Sequence, residues 1–260
     1  MFSPEGPTLR ELAVQALSSV EHGYDLLAAK FDHTPFRTPD SVLDAVASAL
    51  VPLGPFDDGL DLCCGTGAGL TVLEQVCRGS VTGVDISAGM LEVARRRVTA
   101  EAGQREGGPR VALVRGDARS LPFACAPAVA PAFDLVVSFG AFGHFLPGEL
   151  PGLFAQVHSV LRQGGRFAFP IGAPARPGTR AYWALLGFDA VMRVRNAVWR
   201  PPFVMYYRDF RLADVRRELT HAGFEVETCA LPGFGRRPDG SPRCRMVVAT
   251  RTAGGYPVSS

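Results

Sequence analysis

The sequence is short of the features that mark secreted, metal-bound or membrane-embedded chains. Its six cysteines, at 63, 64, 77, 125, 229 and 244, form no C-x-x-C pair. Two of them are adjacent, a poor geometry for either chelation or pairing, so neither a disulfide framework nor a metal site is expected. A reducing, cytoplasmic location follows as the simplest expectation. No apolar run is long enough to span a bilayer. The first residues lack the basic stretch and apolar segment of a signal peptide. A formal net charge of +2 over 260 residues leaves no electrostatic footprint for nucleic acid or for a membrane, and neither is expected as a partner. Internal repeats are absent.

What is present is enough apolar material for a core: 47% of residues are hydrophobic and 20% charged. Thr8-Leu9-Arg10-Glu11 reads as a capping box opening a helix, with Leu12, Ala13, Ala16, Leu17 and Val20 at helical spacing. Thr38-Pro39 opens a second helix with proline at its first position. From residue 59 short strands alternate with helices: strands at 59–63, 80–85, 110–114, 133–138 and 166–171, helices at 70–77, after Ser87, and at 150–161. Such alternation predicts an α/β fold with a parallel sheet covered on both faces. A helix at 211–222 and an antiparallel pair at 225–230 and 245–250 close it. The chain divides into a helical N-terminal cover (1–52), a core (53–171), an inserted cap (172–210), the rest of the core (211–252) and a mobile tail (253–260). Residues 124–132 read as a surface loop.

The chemistry concentrates at three strand ends. Asp61-Leu62-Cys63-Cys64-Gly65-Thr66-Gly67-Ala68-Gly69 sits where the first strand turns into a helix. Its glycines allow close backbone approach to a ligand, and helix-start N–H groups favour negative charge. A ligand-free tight turn would look similar. Asp85 ends the next strand, where a carboxylate can accept from both hydroxyls of a ribose. Gly116-Asp117-Ala118 follows the third strand, where a short carboxylate can accept from an adenine amino group or serve as a turn residue.

These three segments in order resemble the class I, Rossmann-like S-adenosylmethionine-dependent methyltransferases, in particular their small-molecule branch. Asp61, Gly65 and Gly67 match the family's glycine-rich motif, although Cys63 stands where its first glycine is usual. Asp85 matches the ribose-binding acid, and Asp117-Ala118 the adenine side. Phe133–Ser138 and Leu161–Phe167 match the fourth strand and the turn into the fifth, so the resemblance runs over about residues 24–250. It implies a doubly wound seven-stranded sheet, mostly parallel with an antiparallel last strand, plus an aromatic helical cap. It implies S-adenosylmethionine as cofactor, held by Tyr24, Arg37, Asp61, Cys63, Gly65, Thr66, Gly67, Asp85, Ile86, Met90, Gly116, Asp117, Ala118, Ser138 and Phe139. Arg37 is a candidate partner for the cofactor's carboxylate, and Tyr24 and Phe31 for enclosing it.

Methyl transfer from an activated sulfonium asks chiefly for alignment in a dry cavity, so no conspicuous triad is expected. Candidate substrate contacts are Phe142, His144, Tyr182, Trp183, Tyr206 and Tyr207, drawn from the segment after the fourth strand and from the aromatic, arginine-rich insertion. A packed subdomain or dimer face would use the same aromatics. His144 is the candidate general base. The resulting expectation is transfer to a small aromatic or lipophilic metabolite, O- rather than N- or C-transfer, by a monomer or homodimer. Two alternatives stay open. One is a non-catalytic nucleoside-binding or scaffold protein. The other is an NAD-dependent oxidoreductase, against which the missing G-x-G-x-x-G counts. The Asn-Pro-Pro-Tyr signature of methyltransferases acting on nucleic-acid bases or glutamine is absent as well.

Overall fold

A computed structural model describes residues 5–102, 107–123, 132–206 and 210–252. Tyr207, the tail from 253 and all but the last residue of the 124–132 loop lie outside these residues. Seven strands form one sheet in the order β3-β2-β1-β4-β5-β7-β6. They are β1 (Phe56–Leu62), β2 (Cys77–Asp85), β3 (Arg110–Arg115), β4 (Phe133–Val137), β5 (Leu161–Gly172), β6 (Phe224–Ala230) and β7 (Cys244–Arg251). Strands β1 to β5 pair in parallel, and β7 runs antiparallel to both β5 and β6. The order reverses between β1 and β4. Beyond the carboxyl ends of those two strands lies the crevice in which open α/β sheets bind ligands.

The sheet is buried on both faces, as a sheet with crossover helices must be. On β4, Val136 joins one apolar cluster with Leu60, Leu62, Phe154, Phe167 and Val215, under α6 (Leu150–Val160) and α8 (Leu212–His221). Its neighbours Leu135 and Val137 join the other, with Val46, Leu50, Leu70 and Leu73, under α3 (Asp40–Leu50) and α4 (Leu70–Val76). The helix after Ser87, α5, spans Ala88–Ala102.

Three boundaries differ from the sequence expectation for local reasons. The first helix does not continue through Val20. It ends as α1 (Leu9–Leu17), and Ser19 caps a separate α2 (Val20–Leu27) by accepting from the His22 N–H at 3.2 Å. Pro39 is the cap of α3 rather than its first residue. Gly164-Gly165 is an irregularity inside β5, not a turn before it: the pairing with β4 skips from Leu161 to Arg166, with Gly164 at φ +74°.

The 172–210 segment is built around a single long helix, α7 (Arg180–Val198), capped by the Thr179 hydroxyl, which accepts from the Tyr182 N–H. Its inner face packs Met192 with Phe203, Met205 and Tyr206 against Val20, Tyr24 and Phe36. The Asn196 amide donates to the Phe203 carbonyl and the Tyr206 hydroxyl and accepts from the Phe203 N–H. The insertion is thereby folded onto the N-terminal helices.

Candidate active site

A cavity of about 650 Å³ opens over the carboxyl ends of β1, β2, β3 and β4. That volume falls inside the usual range for small-molecule sites, about 300–1,000 Å³. The glycine-rich loop, Asp85, Ile86 and Met90, and the segment Gly116–Arg119 form one side. Tyr24, Phe31, Phe36 and Arg37 come over from the N-terminal cover, and Leu185, Phe188 and Met205 from the insertion.

Asp61 is the unusual group. It is 1% exposed, and neither carboxylate oxygen has a hydrogen-bond partner among the described residues. Burial, together with the neighbouring charge of Asp85, pushes its carboxyl well above the usual carboxylate range. The cradle around it is tight: a Cβ on Gly69 would come within 2.4 Å of the Asp61 Oδ2 and 2.6 Å of the Phe139 ring. An unpaired buried carboxylate is costly unless something pairs with it. Asp61 is also one of the residues that line the cavity.

Asp85 is better provided for. It accepts from the Gly65 N–H at 2.8 Å and the Ser87 N–H at 2.9 Å. Burial raises its carboxyl, and those two donors pull against the rise. The bond to Gly65 holds the glycine loop against the end of β2. Cys63 stands in the left-handed region at φ +60°, unusual for a side chain other than glycine's or a small polar one. Its thiol is pushed well up by burial and by the nearby carboxylates, so it is a small wall group and not a thiolate.

His144 has its two ring nitrogens fixed. Nδ1 lies 2.7 Å from the Val204 carbonyl, which can only accept, so Nδ1 carries the proton. Neutral, the ring then presents Nε2 as an acceptor, and the Tyr24 hydroxyl donates to it at 2.7 Å. Burial among Tyr24 and Phe203 lowers the imidazole's pKa, the bond to Val204 resists that, and Arg119 adds to it.

Two acids hold the cover down. Asp25 accepts from the Ser87 hydroxyl at 2.6 Å and from the Gly89 N–H at 2.8 Å, which caps α5 from a different helix. Asp32 accepts from the Thr66 hydroxyl at 2.7 Å and from Arg97 at 2.5 Å. Sequence reasoning missed both. The available signal was a repeated aromatic–acid pair, Tyr24-Asp25 and Phe31-Asp32, in which the ring lines the cavity and the acid ties to the core. Arg119 was missed too. It lies one residue beyond Ala118, on the rim, paired with Glu149 at 2.6 Å and donating to the His144 carbonyl at 3.1 Å.

Of the residues singled out in the sequence, the cavity wall includes Tyr24, Arg37, Asp61, Cys63, Gly65, Thr66, Asp85, Ile86, Met90, Gly116, Asp117, Ala118, Phe139 and His144. Arg37 already pairs with Asp40 at 2.6 Å and approaches Asp32 at 3.8 Å. The others are placed elsewhere. Gly67, at φ +84°, turns toward Ala94 and serves the contact with α5. Ser138 is buried, its hydroxyl donating to the Leu62 carbonyl at 2.8 Å. Phe142 is a core residue, stacked on Phe210 with centroids 4.3 Å apart. Tyr206 is packed behind the wall with Arg193 over its ring at 4.4 Å. Tyr182 makes an edge contact with Trp183, which points into solvent.

Comparison with known proteins agrees with this geometry. A family model described as a methyltransferase domain matches residues 60–165. A demethylmenaquinone methyltransferase of Symbiobacterium thermophilum is 36% identical over 159 residues, which are 56% of this chain and 59% of that protein. The aklanonic acid methyltransferase DauC of Streptomyces sp. strain C5 is 31% identical over 162 residues, 62% of this chain and 64% of that one. The chain thus spans less than two thirds of the length of these relatives. Magnesium protoporphyrin IX methyltransferase (ChlM) from Synechocystis PCC 6803, crystallised with bound SAH, shares the fold at a TM-score of 0.54 and 22% identity, covering 81% of each chain. Residues 60–165 thus match a methyltransferase-domain model, and the sheet that carries them has the fold seen in ChlM.

Proposed function

We propose that this protein transfers a methyl group from S-adenosylmethionine to a small, aromatic or lipophilic acceptor, with a hydroxyl favoured over nitrogen or carbon. The observation that carries the reading is Asp61: a buried carboxylate that has no hydrogen-bond partner among the described residues and that lines the cavity, where a ligand's ammonium would pair with it. The other residues suit the remaining parts of that cofactor. All of them line the cavity; in this reading Asp85 takes the ribose hydroxyls, Asp117 and Ala118 the adenine edge, and Met90 and Ile86 the face of the ring. When bound, the cofactor supplies an electrophilic methyl group on a positively charged sulfur.

The protein's own share is alignment and proton handling. Phe31, Phe36, Phe188 and Met205 exclude water and form an apolar wall for the acceptor. Alignment of this kind can supply roughly 7–11 kcal/mol. A hydroxyl acceptor must lose its proton as the oxygen takes the methyl group. Tyr24 and His144 are arranged to receive it: the acceptor's proton goes to the Tyr24 oxygen while Tyr24's own goes to His144 Nε2. His144 stays oriented by its donation to the Val204 carbonyl.

Isothermal titration with S-adenosylmethionine, followed by turnover on demethylmenaquinone, aklanonic acid and simpler phenols, tests the reading. Asp85→Ala should weaken cofactor binding by about 1.5–3 kcal/mol while the fold persists, the scale of a hydrogen bond to a charged group. An unchanged dissociation constant in a folded variant would remove Asp85 from the site, and heat-silent titration of the wild-type protein would remove the cofactor.

A further inference from the structure

A small net charge over the whole chain conceals a local imbalance. Between residues 172 and 206 there are five arginines, at 176, 180, 193, 195 and 200, and a single acid, Asp189. Asp189 is buried. The outward face of α7 therefore carries no negative charge at all.

That face is apolar along its length. Trp183 is 60% exposed, Val191 and Val194 each 66%, and Val198 78%. Gly187, Ala190 and Ala197 fill the same side at helical spacing and are exposed. Trp199 continues the face, donating its indole N–H to the Leu17 carbonyl at 3.1 Å, which sets it beside the exposed Leu17 and Val14 of α1. Single exposed apolar residues need no explanation, but a continuous stripe over a helix of 19 residues does. The inner face of the same helix has a different job: Leu185 and Phe188 line the cavity, and Ala184 is both exposed and on the cavity wall, at its mouth.

We propose that α7 lies on an anionic membrane surface, with Trp183, Val191, Val194 and Val198 in the headgroup boundary and Arg180 and Arg200 against lipid phosphates. Three features select this occupant. Indoles at both ends of an apolar stripe match the interfacial preference of tryptophan. Arginines border the stripe without an acid between them, the pattern of a surface-lying helix. A second copy of the chain fits worse, since a twofold contact through α7 would bring two arginine borders together with no carboxylate to meet them. No helix among the described residues is long and apolar enough to cross a membrane, so the contact is peripheral. The proposal rests on the shape of α7 and extends the reading of the cavity, whose mouth would face the layer in which a lipophilic acceptor dissolves.

The chain has two tryptophans, and both are on this face. Their fluorescence reports the contact with no label. The intact protein is mixed with vesicles of phosphatidylcholine alone or of phosphatidylcholine with phosphatidylglycerol, and followed by emission wavelength and by flotation. The expected result is a blue shift and co-flotation with the anionic vesicles only, reversed by high salt. Val191→Glu with Val194→Glu should abolish co-flotation, and Arg180→Gln and Arg200→Gln should each weaken it roughly fivefold. None of these residues lines the cavity, so cofactor titration should be unchanged and certifies that each variant is folded; if the wild type binds no cofactor, circular dichroism certifies it instead. Wild-type protein that stays with the solvent in the presence of anionic vesicles overturns the proposal. So does equal flotation of the double variant, or a dimer in sedimentation that the double variant dissociates while vesicles are ignored.

Discussion

At the scale of single residues, the glycine-rich loop trades stability for a site. Asp61 illustrates the exchange. Its folded pKa lies above the ordinary value of 3.8. For an acid shifted upward, the group's contribution to stability is intact below that ordinary value and is lost as pH rises toward the folded value. Near neutrality, folding must therefore bury a charge or retain a proton. Asp61→Asn removes that burden with almost no change in shape. The variant should melt at a higher temperature than the wild type at pH near 7, by an amount that shrinks in acid, and should bind S-adenosylmethionine far more weakly. A lower melting temperature across the whole range would mean that the carboxylate has a partner after all. Cys63 adds a second local cost, since an L-residue in the left-handed region is disfavoured by roughly 1–2 kcal/mol. These positions were legible in the sequence because strand-end carboxylates and glycines announce themselves locally. The burial of Asp61 was not legible, because it depends on Gly69 and Phe139 closing on it from later in the chain.

At the scale of elements, sequence periodicity identified helices better than it identified their faces. Tyr182 and Trp183 were singled out as aromatic, yet the phase of α7 sends Leu185 and Phe188 to the cavity and Trp183 to solvent. Two residues along a helix are a rotation of about 200°, and no helix phase was read over this segment, so aromatic content alone could not separate wall from surface. The same holds for Phe142, whose neighbour two residues on, His144, faces the cavity while Phe142 stacks in the core. The cap on α5 is another case. Its N-terminus is finished by Asp25 from α2 together with Ser87, and no local pattern records a partner 64 residues away. Asp25→Ala should cost about 1 kcal/mol, the usual worth of a helix cap, read as a lower urea midpoint. It should also loosen α2, so cofactor affinity should fall in parallel. A variant with wild-type affinity and reduced stability would confine Asp25 to capping.

At the scale of the whole molecule, strand order was never legible from spacing and was carried by resemblance alone. Alternation of strands and helices is the same for any doubly wound sheet. What sets the site here is that β1 and β4 are neighbours although four elements of the core, α4, β2, α5 and β3, separate them in sequence. The pH response of the fold is also global, since His144 joins β4's following segment, α2 and the insertion at one half-buried ring. Its pKa lies below the ordinary 6.5. For a histidine shifted downward, stability is fully present above the unfolded value and falls as pH drops through that value toward the folded one. The histidine contribution to stability should therefore fall as pH is lowered from about 8 to about 5, opposite in sign to that of Asp61, and is read as the difference between wild type and His144→Gln. His158 is lowered by burial as well and acts in the same window. His144→Gln should flatten part of the slope, and in the enzyme assay it should remove the acid limb of kcat and lower kcat by roughly 10²–10⁴. A variant with normal kcat and an unaltered limb would leave alignment as the whole of the catalysis.

The ties made by Asp25 and Asp32 straddle the glycine loop and the start of α5, while the rings next to them in sequence roof the cavity. Roof and latch are thus the same few turns of chain. For a nucleoside that passes under this roof, those turns must swing away, and each passage breaks hydrogen bonds to charged groups that re-form behind it. Ligand exchange is then a gated process whose rate belongs to the protein rather than to diffusion. A ligand can be held long in such a site without being held tightly, because residence time and affinity are set by different contacts.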